Sequence, residues 1–336
     1  MNRQAYSPHV AVVVVSYNTC ALLRRCLEST ALAPFPVHVV VVDNASPDGS
    51  ATMVRRDFPR VELIANSANR GFAAATNQGL EAVRECADFI LLLNPDAWLC
   101  PGALQELVDF MRAHPRVGAC GAKLLYPDGR PQEGAWHFPT LLMAFFDLFP
   151  PHGPLLGRLY SSPLNGRYRE ERGSAPFPID HPLGAAMMIR RETLDEVGLF
   201  DEGYWMYAEE VDWCFRCKQA GWAIWQVPSA RVVHVGSASA QQFRGRSLVA
   251  LHRSRARFVR QWHSQRYQRW YQRIIHLGML WAALRTWLYW SRGLLPLDEL
   301  RSRLLTYGTI TRLSTNEGNC EKARGIPPGR SRIRMP

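Results

Sequence analysis

The sequence predicts an α/β fold, a doubly wound and mostly parallel sheet followed by a C-terminal helical, basic extension. Three observations predict it. Through the first half, short apolar runs alternate with stretches of helical periodicity, the pattern of strands interleaved with helices. The run FILLL within residues 88–97 is continuously apolar, which suits a strand covered on both faces, as strands of parallel sheets are. Charge is divided along the chain: from Arg244 to the end, 19 Lys and Arg stand against 4 Asp and Glu, and with +11 for the whole chain, residues 1–243 carry a net −4. A mildly acidic globular part is thus joined to a strongly basic tail, an asymmetry that calls for an anionic partner.

Taken in order, AVVVV at 11–15 is the first strand. Its apolar run, Val10–Val15, is six residues long and is followed by Ser16, Tyr17 and Asn18 with no small-residue cleavage site, so it reads as a buried strand and not as a secretory signal. Residues 20–31 read as a helix with Leu22, Leu23, Cys26 and Leu27 on one face. VHVVVVD at 37–43 is the second strand, and the turn NASPDGS leads into a helix ending near Phe58. VELIAN at 61–66 is a short third strand, a helix runs from about Gly71 to Glu85, and the fourth strand lies within 88–97. Pro101 opens another helix at the first-turn position that tolerates proline. Ligands of such sheets bind at the carboxyl ends of the strands, which is where Asp43 and Asp96 fall. Residues 126–182, rich in Pro, Gly and aromatics, predict a long irregular excursion with mobile loops, a candidate part of an acceptor site. Regular structure resumes at 181–202 with a strand and a short helix, then a helix over 207–221 closed by Gly221, then strands at 222–228 and 230–235.

The tail has helical character from about Leu248 to Gly293 and mixes Arg with Trp, Tyr and Leu. Its least polar part, Ile274–Trp290, is interrupted by His276 and Arg285, which argues against a full membrane span. Basic and aromatic residues together suit a helix lying in a membrane interface; the competing reading is a helical pair packed on the globular part with a solvated basic face. Beyond about Asn316 the composition predicts disorder. The division that follows is a catalytic domain over 8–240, a basic and aromatic helical extension over 241–315, and a disordered tail over 316–336. The eight cysteines make no disulfide framework, and Cys214 and Cys217, though spaced C-x-x-C, lie in a helical stretch without a second ligand pair, so they read as buried thiols of a reducing compartment.

The motifs VVVVSYN, VVVDNASPDGS, NRGFAAATNQG, LLLNPDA, GAAMMIRR, GLFDEGYWMYAEEVDWCFR and VVHVG occur in that order. As an ordered set they resemble family 2 glycosyltransferases, especially the rhamnosyltransferase-like branch, over roughly residues 8–240. The resemblance implies a GT-A-type fold and transfer of a sugar from a nucleotide diphosphate donor. Such chemistry needs a nucleotide site, a means of neutralising the departing diphosphate, and a base for the acceptor hydroxyl.

For the nucleotide, the resemblance assigns Ser16 and Tyr17 to base and ribose, and Asp43 to the carboxylate that accepts a hydrogen bond from a pyrimidine; a turn cap within DNASPDG is the competing role for Asp43. Asn69 and Arg70 sit in the NRGF turn, where Gly71 permits close backbone approach and Arg70 would meet base or phosphate. Asn77, on the following helix, is a candidate structural residue. For the diphosphate, the family's Asp-x-Asp element reads Asn94-Pro95-Asp96 here. Asp96 thus inherits the Mg or Mn role, since hard cations prefer carboxylate and phosphate oxygens. His234 matches a position that completes the metal site in some relatives, against the alternative of a structural histidine. For the base, the family's Glu-Asp-x-Asp-like motif reads Glu209-Glu210-Val211-Asp212. Glu210 stands where the catalytic Asp usually does, with Glu209 and Asp212 as neighbours that position the acceptor or tune the base. Acids complementing the helix dipole, and an Asp212–Arg216 ion pair, are the structural alternatives. An ordinary carboxylate pKa suffices for a base at neutral pH. Gly184 and Trp205 border the sugar or the acceptor, or else belong to the core.

The expected reaction is a single inverting displacement, with L-rhamnose from dTDP-rhamnose as donor substrate and a lipid-linked or polysaccharide acceptor in cell-envelope glycan synthesis. The expected site is cytoplasmic, peripheral on the inner face of the membrane, with an anionic membrane surface and no nucleic acid as partner. A UDP-sugar donor and a non-catalytic glycan-binding or scaffold homologue are the alternatives. A nucleotidyltransferase is disfavoured because SYNTCALL lacks a glycine-rich phosphate loop, and a nucleic-acid-binding protein because it leaves the acidic motifs without a role.

Overall fold

The computed structural model describes residues 9–151, 153, 157–160, 162–169, 173–236 and 244–316. The chain opens with β1 (Val10–Ser16), α1 (Cys20–Thr30), β2 (Val37–Asp43), α2 (Ser50–Asp57), β3 (Glu62–Ala65), α3 (Phe72–Val83) and β4 (Phe89–Leu93). There follow β5 (Ala97–Leu99), α4 (Ala103–Ala113) and β6 (Val117–Leu125). The excursion holds β7 (Pro131–Gln132), β8 (Ala135–Trp136), α5 (Leu141–Leu148), α6 (Gly157–Tyr160), β9 (Phe177–Pro178) and β10 (His181–Pro182). Then come β11 (Ala186–Arg190), α7 (Arg191–Val197), α8 (Glu209–Gln219) and β12 (Ala223–His234). The extension is α9 (Arg244–Trp262), α10 (Gln265–Ser291) and α11 (Leu297–Asn316).

The main sheet runs in the order β3-β2-β1-β4-β11-β6-β12-β5, with β7 beside β6 and β9 beside β12. β3, β2, β1 and β4 are mutually parallel, and β6 and β12 are parallel to each other. β11 is antiparallel to both β4 and β6, and β5 is antiparallel to β12. Alternate residues of β1 feed two cores, as a period of two demands. Val10, Val12 and Val14 pack with α1, α2 and α4, whereas Ala11, Val13 and Val15 pack with α3, α7 and α8. Helices therefore cover both faces, as the sequence predicted. Close approach of α3 is made by Gly79, where an added Cβ would stand 2.3 Å from Val13 Cγ1.

The two strands read at 222–228 and 230–235 are one, β12. Its pairing to β6 shifts register between Val227 and Arg231, a bulge that absorbs Pro228 without ending the strand. Cys214 and Cys217 are buried in α8 as free thiols. In the extension, α9 shares a small core with the segment 204–215, Phe258 meeting Phe215 edge-on at 5.8 Å. α10 packs on α5, where a Cβ at Gly278 would meet Leu148 Cδ1 at 2.5 Å. Among the described residues no helix is long and apolar enough to cross a membrane. The expected disordered tail lies outside the described residues except for Asn316, the last residue of α11.

Candidate active site

Three groups of residues meet at the carboxyl ends of β1, β2 and β4. The first surrounds the end of β2. Asp43 is buried; its Oδ2 accepts from the Ser46 amide at 3.0 Å and so caps the turn, while its buried Oδ1 has no hydrogen-bond partner. One oxygen thus fills the structural role and the other is unpaired, and a buried unpaired acceptor is costly unless a ligand satisfies it. Ser16 is fully buried against Thr19, Oγ to Oγ1 at 3.1 Å, and Tyr17 follows it, partly buried.

The NRGF turn is laced by amides. Asn44, which sequence reasoning passed over, donates to Asn69 Oδ1 at 2.9 Å and to the Gly71 carbonyl at 3.1 Å, and accepts from the Arg70 amide at 2.9 Å. Asn69 Oδ1 also accepts from the Gly71 amide, so this side chain is committed to the turn, whereas the Arg70 side chain is exposed. Gly71 has φ +84°, and a Cβ there would lie 2.6 Å from both Cδ1 and the carbonyl oxygen of Trp205. The Phe72 amide donates to that carbonyl at 2.6 Å. Trp205, half exposed, is therefore brought against the turn at Gly71 from 134 residues away in sequence order, outside the main core. Asn77 is structural: it exchanges hydrogen bonds with Phe200.

The second group is Asp96 and His234. Ala97 pairs with His234 in the β5–β12 ladder, and the Val235 amide donates to the Asp96 carbonyl. Both side chains are buried, with His234 Nε2 3.4 Å from Asp96 Oδ1. His234 Nδ1 lies 2.9 Å from Gln132 Oε1, so in this amide orientation Nδ1 is the donor. Nε2 has no hydrogen-bond partner. A buried imidazole nitrogen and a carboxylate oxygen facing one another are both electron-pair donors, an arrangement that fits a divalent cation. Among the described residues no three His, Cys, Asp or Glu side chains converge for a metal.

The third group is the start of α8. Tyr207 and Ala208 have φ of 72° and 63°, left-handed values that non-glycine residues take at a cost. This bend delivers Glu209 and Glu210 into the first turn. Glu209 is buried, Glu210 partly so, and Oε2 of each is buried without a hydrogen-bond partner. Burial raises both pKa values; for Glu209 the neighbouring Glu210 carboxylate adds to the rise, and Glu210 is pushed up to about 7. An ordinary carboxylate pKa would have sufficed for a base, but here desolvation outweighs the helix N-terminus. Gly184 lies against Glu210, where an added Cβ would stand 3.7 Å from its Cδ. The backbone ties the same strip to the Asn94-Pro95-Asp96 turn, the Asn94 amide donating to the Ala185 carbonyl. A small cavity lined by Val15, Phe72, Thr76, Asn94 and Gly184 opens beside it.

Asp212 points the other way. It is fully buried, its Oδ1 accepts from Trp262 Nε1 at 2.8 Å and from the Tyr204 hydroxyl at 3.4 Å, and its Oδ2 pairs with Arg216 at 2.9 Å. The ion pair foreseen at i,i+4 is present. Trp262 and Gln132 carried no sequence signal of their roles, because neither belongs to a motif and each acts through a contact made by the fold.

The model of the family described as glycosyl transferase family 2 matches residues 11–198, more than half of the chain. The chain belongs to this family. Among curated relatives, the glycosyltransferase is 33% identical over 264 residues to the N-acetylglucosaminyl-diphospho-decaprenol L-rhamnosyltransferase of Mycobacterium tuberculosis, covering 75% of this chain and 84% of the relative. It is 23% identical to the dTDP-rhamnosyl transferase RfbF of Shigella flexneri, over 67% of this chain and 69% of that one. Among solved structures, the mannosyltransferase PcManGT of Pyrobaculum calidifontis, in complex with GDP-Man and Mn2+, superposes with a TM-score of 0.53 at 19% identity, covering 92% of this chain and 87% of that one. That likeness is one of fold, and it agrees with the GT-A-type architecture expected of the glycosyltransferase. The rhamnosyltransferase-like character read from the ordered motifs agrees with the curated relatives.

Proposed function

We propose that this glycosyltransferase moves L-rhamnose from dTDP-rhamnose to a hydroxyl of a lipid-linked or polysaccharide acceptor in cell-envelope glycan synthesis, with inversion at the anomeric carbon. The observation that carries the mechanistic part is Glu210, a partly buried carboxyl with an unpaired oxygen and a pKa raised to about 7, set against Gly184. A base poised near the working pH accepts a proton in the transition state most efficiently. The donor sugar and the acceptor class rest on the two rhamnosyltransferase relatives.

In this reading Asp43 Oδ1 accepts from the pyrimidine, the Asn44 network holds the NRGF turn around the nucleotide, and Arg70, exposed beside it, meets base or phosphate. Asp96 and His234 would hold Mg or Mn, which supplies positive charge to the departing diphosphate when bound. Glu210 takes the proton of the acceptor hydroxyl as that oxygen attacks the anomeric carbon, and the nucleoside diphosphate leaves from the opposite face. Glu209, deeper and less readily ionised, keeps negative charge from accumulating beside the base. Trp205 offers an exposed ring to a sugar face. The enzyme works on the cytoplasmic side, peripheral to the inner face of the membrane, held by its basic extension.

The test is release of nucleoside diphosphate from a panel of nucleotide sugars with Mg or Mn, in the presence of membrane extract, for the native chain, Glu210→Gln and Asp96→Ala. Release from dTDP-rhamnose that both variants lose is the expected result. Release from another donor alone would reassign the sugar, and no release from any donor would sink the catalytic reading.

A further inference from the structure

From the surface of the helical extension, we infer that the outward face of α10 is a docking surface for an anionic lipid bilayer, a step that rests on the membrane-peripheral reading above and gives it residues. Leu277, Leu280, Trp281, Leu284 and Trp287 are linked by helical spacings of three and four (277 to 280 and 281, these two to 284, and 284 to 287), so they form one stripe. Each is between 44% and 68% exposed. The opposite face holds Tyr271, Ile275, Gly278 and Met279, which are buried in the core shared with α5, α9 and α11. The side of α10 needed for folding is therefore already used, and the stripe is left over. Single exposed apolar residues need no explanation, but five in register on one helix do.

Charge decides the occupant. On the same face, one to three turns toward the N-terminus, Arg266, Arg269 and Arg273 are exposed. Leucine and tryptophan flanked by arginine suit the boundary between headgroups and acyl chains, where the rings and aliphatic groups enter the apolar layer and the guanidinium groups meet lipid phosphates. A second copy of this chain on the same face would bring like arginines together. A nucleic acid would leave the leucines without a use. The helix lies along the surface and does not cross, since Arg285 and Arg292 are exposed along and beyond its C-terminal half and no described helix meets the length and apolarity of a span.

The experiment is sedimentation of the full chain with phosphatidylcholine vesicles, with and without about one-third phosphatidylglycerol, at low and high salt. Two paired variants go beside the native chain: Leu280→Gln with Leu284→Gln, and Arg269→Gln with Arg273→Gln. Their melting temperatures and their release of nucleoside diphosphate in vesicle-free solution serve as controls of folding. The native chain is expected to bind the anionic vesicles, more weakly at high salt. The leucine pair is expected to lose at least about tenfold on either vesicle. The arginine pair is expected to lose about 25-fold on the anionic vesicles and little on the neutral ones, at about a fivefold loss per arginine. Vesicle binding by the leucine pair equal to that of the native chain would overturn the inference. So would self-association that the leucine pair abolishes, or an RNA oligomer that displaces the native chain from vesicles. An absence of nucleotide release in solution bears on the transferase reading alone, because the sedimentation arm needs no turnover.

Discussion

With Glu210 as the proposed base, this residue sets the pH behaviour. Its pKa is raised by burial to about 7, and the base must be ionised to act, so kcat/KM for transfer is expected to fall about tenfold per unit as pH drops below 7 and to level off above it. Glu210→Gln is expected to lower kcat by about 10²–10⁴ while donor binding, followed by nucleotide-sugar titration, stays within about twofold. Glu209 has a different consequence. A carboxyl whose folded pKa lies above its unfolded value contributes stability that is fully present below the unfolded pKa and lost as pH rises through the folded one. Glu209→Gln removes that loss, so its melting temperature is expected to exceed the native value by about 2 °C at pH 8 and to match it near pH 4. Of these facts the sequence disclosed the residue types and their order. The raised pKa values were not legible, because desolvation is set by what covers a carboxyl in the folded chain, and that cover is a product of tertiary packing.

The turn at Gly71 and the contact of α9 with α8 hold the active site in shape. Gly71 has φ +84° and ψ 169°, a region closed to other residues, and any Cβ collides with Trp205. Gly71→Ala is expected to cost at least about 1–3 kcal/mol in chemical unfolding and to raise KM for the donor. Trp262→Phe keeps most of the ring and removes one donor from the buried Asp212 carboxylate, which is expected to cost about 1–3 kcal/mol and to lower kcat more than it changes donor KM, because α8 carries Glu210. NRGF signalled a tight turn in the sequence because Gly precedes a helix. The latch between Asp212 and Trp262 did not, since its partners lie 50 residues apart and only tertiary packing joins them. The same limit made one strand look like two at Pro228: the register shift in β12 that accommodates the proline is a property of its pairing with β6.

Across the whole molecule, the doubly wound sheet was legible from periodicity, down to the end of β2 that carries Asp43, whereas Asp96 stands in the turn between β4 and β5 and not at the end of β4. The reversal of β11 was less so, because strand direction depends on where the long excursion over 126–182 returns the chain. The extension was readable as helical and basic, whereas which side of α10 faces outward became visible only once α5 had taken the other. Phe215 stands against Phe258 and Trp262, so the helix that bears Glu210, the proposed base, and the first helix of the extension share one aromatic core. Were α10 to rest on lipid as proposed, the height of Glu210 above the bilayer would be a fixed length. On that proposal, an acceptor anchored in the same bilayer would be selected by how far its hydroxyl stands from the surface, and the protein would act as a ruler that fixes which sugar of a growing chain is extended.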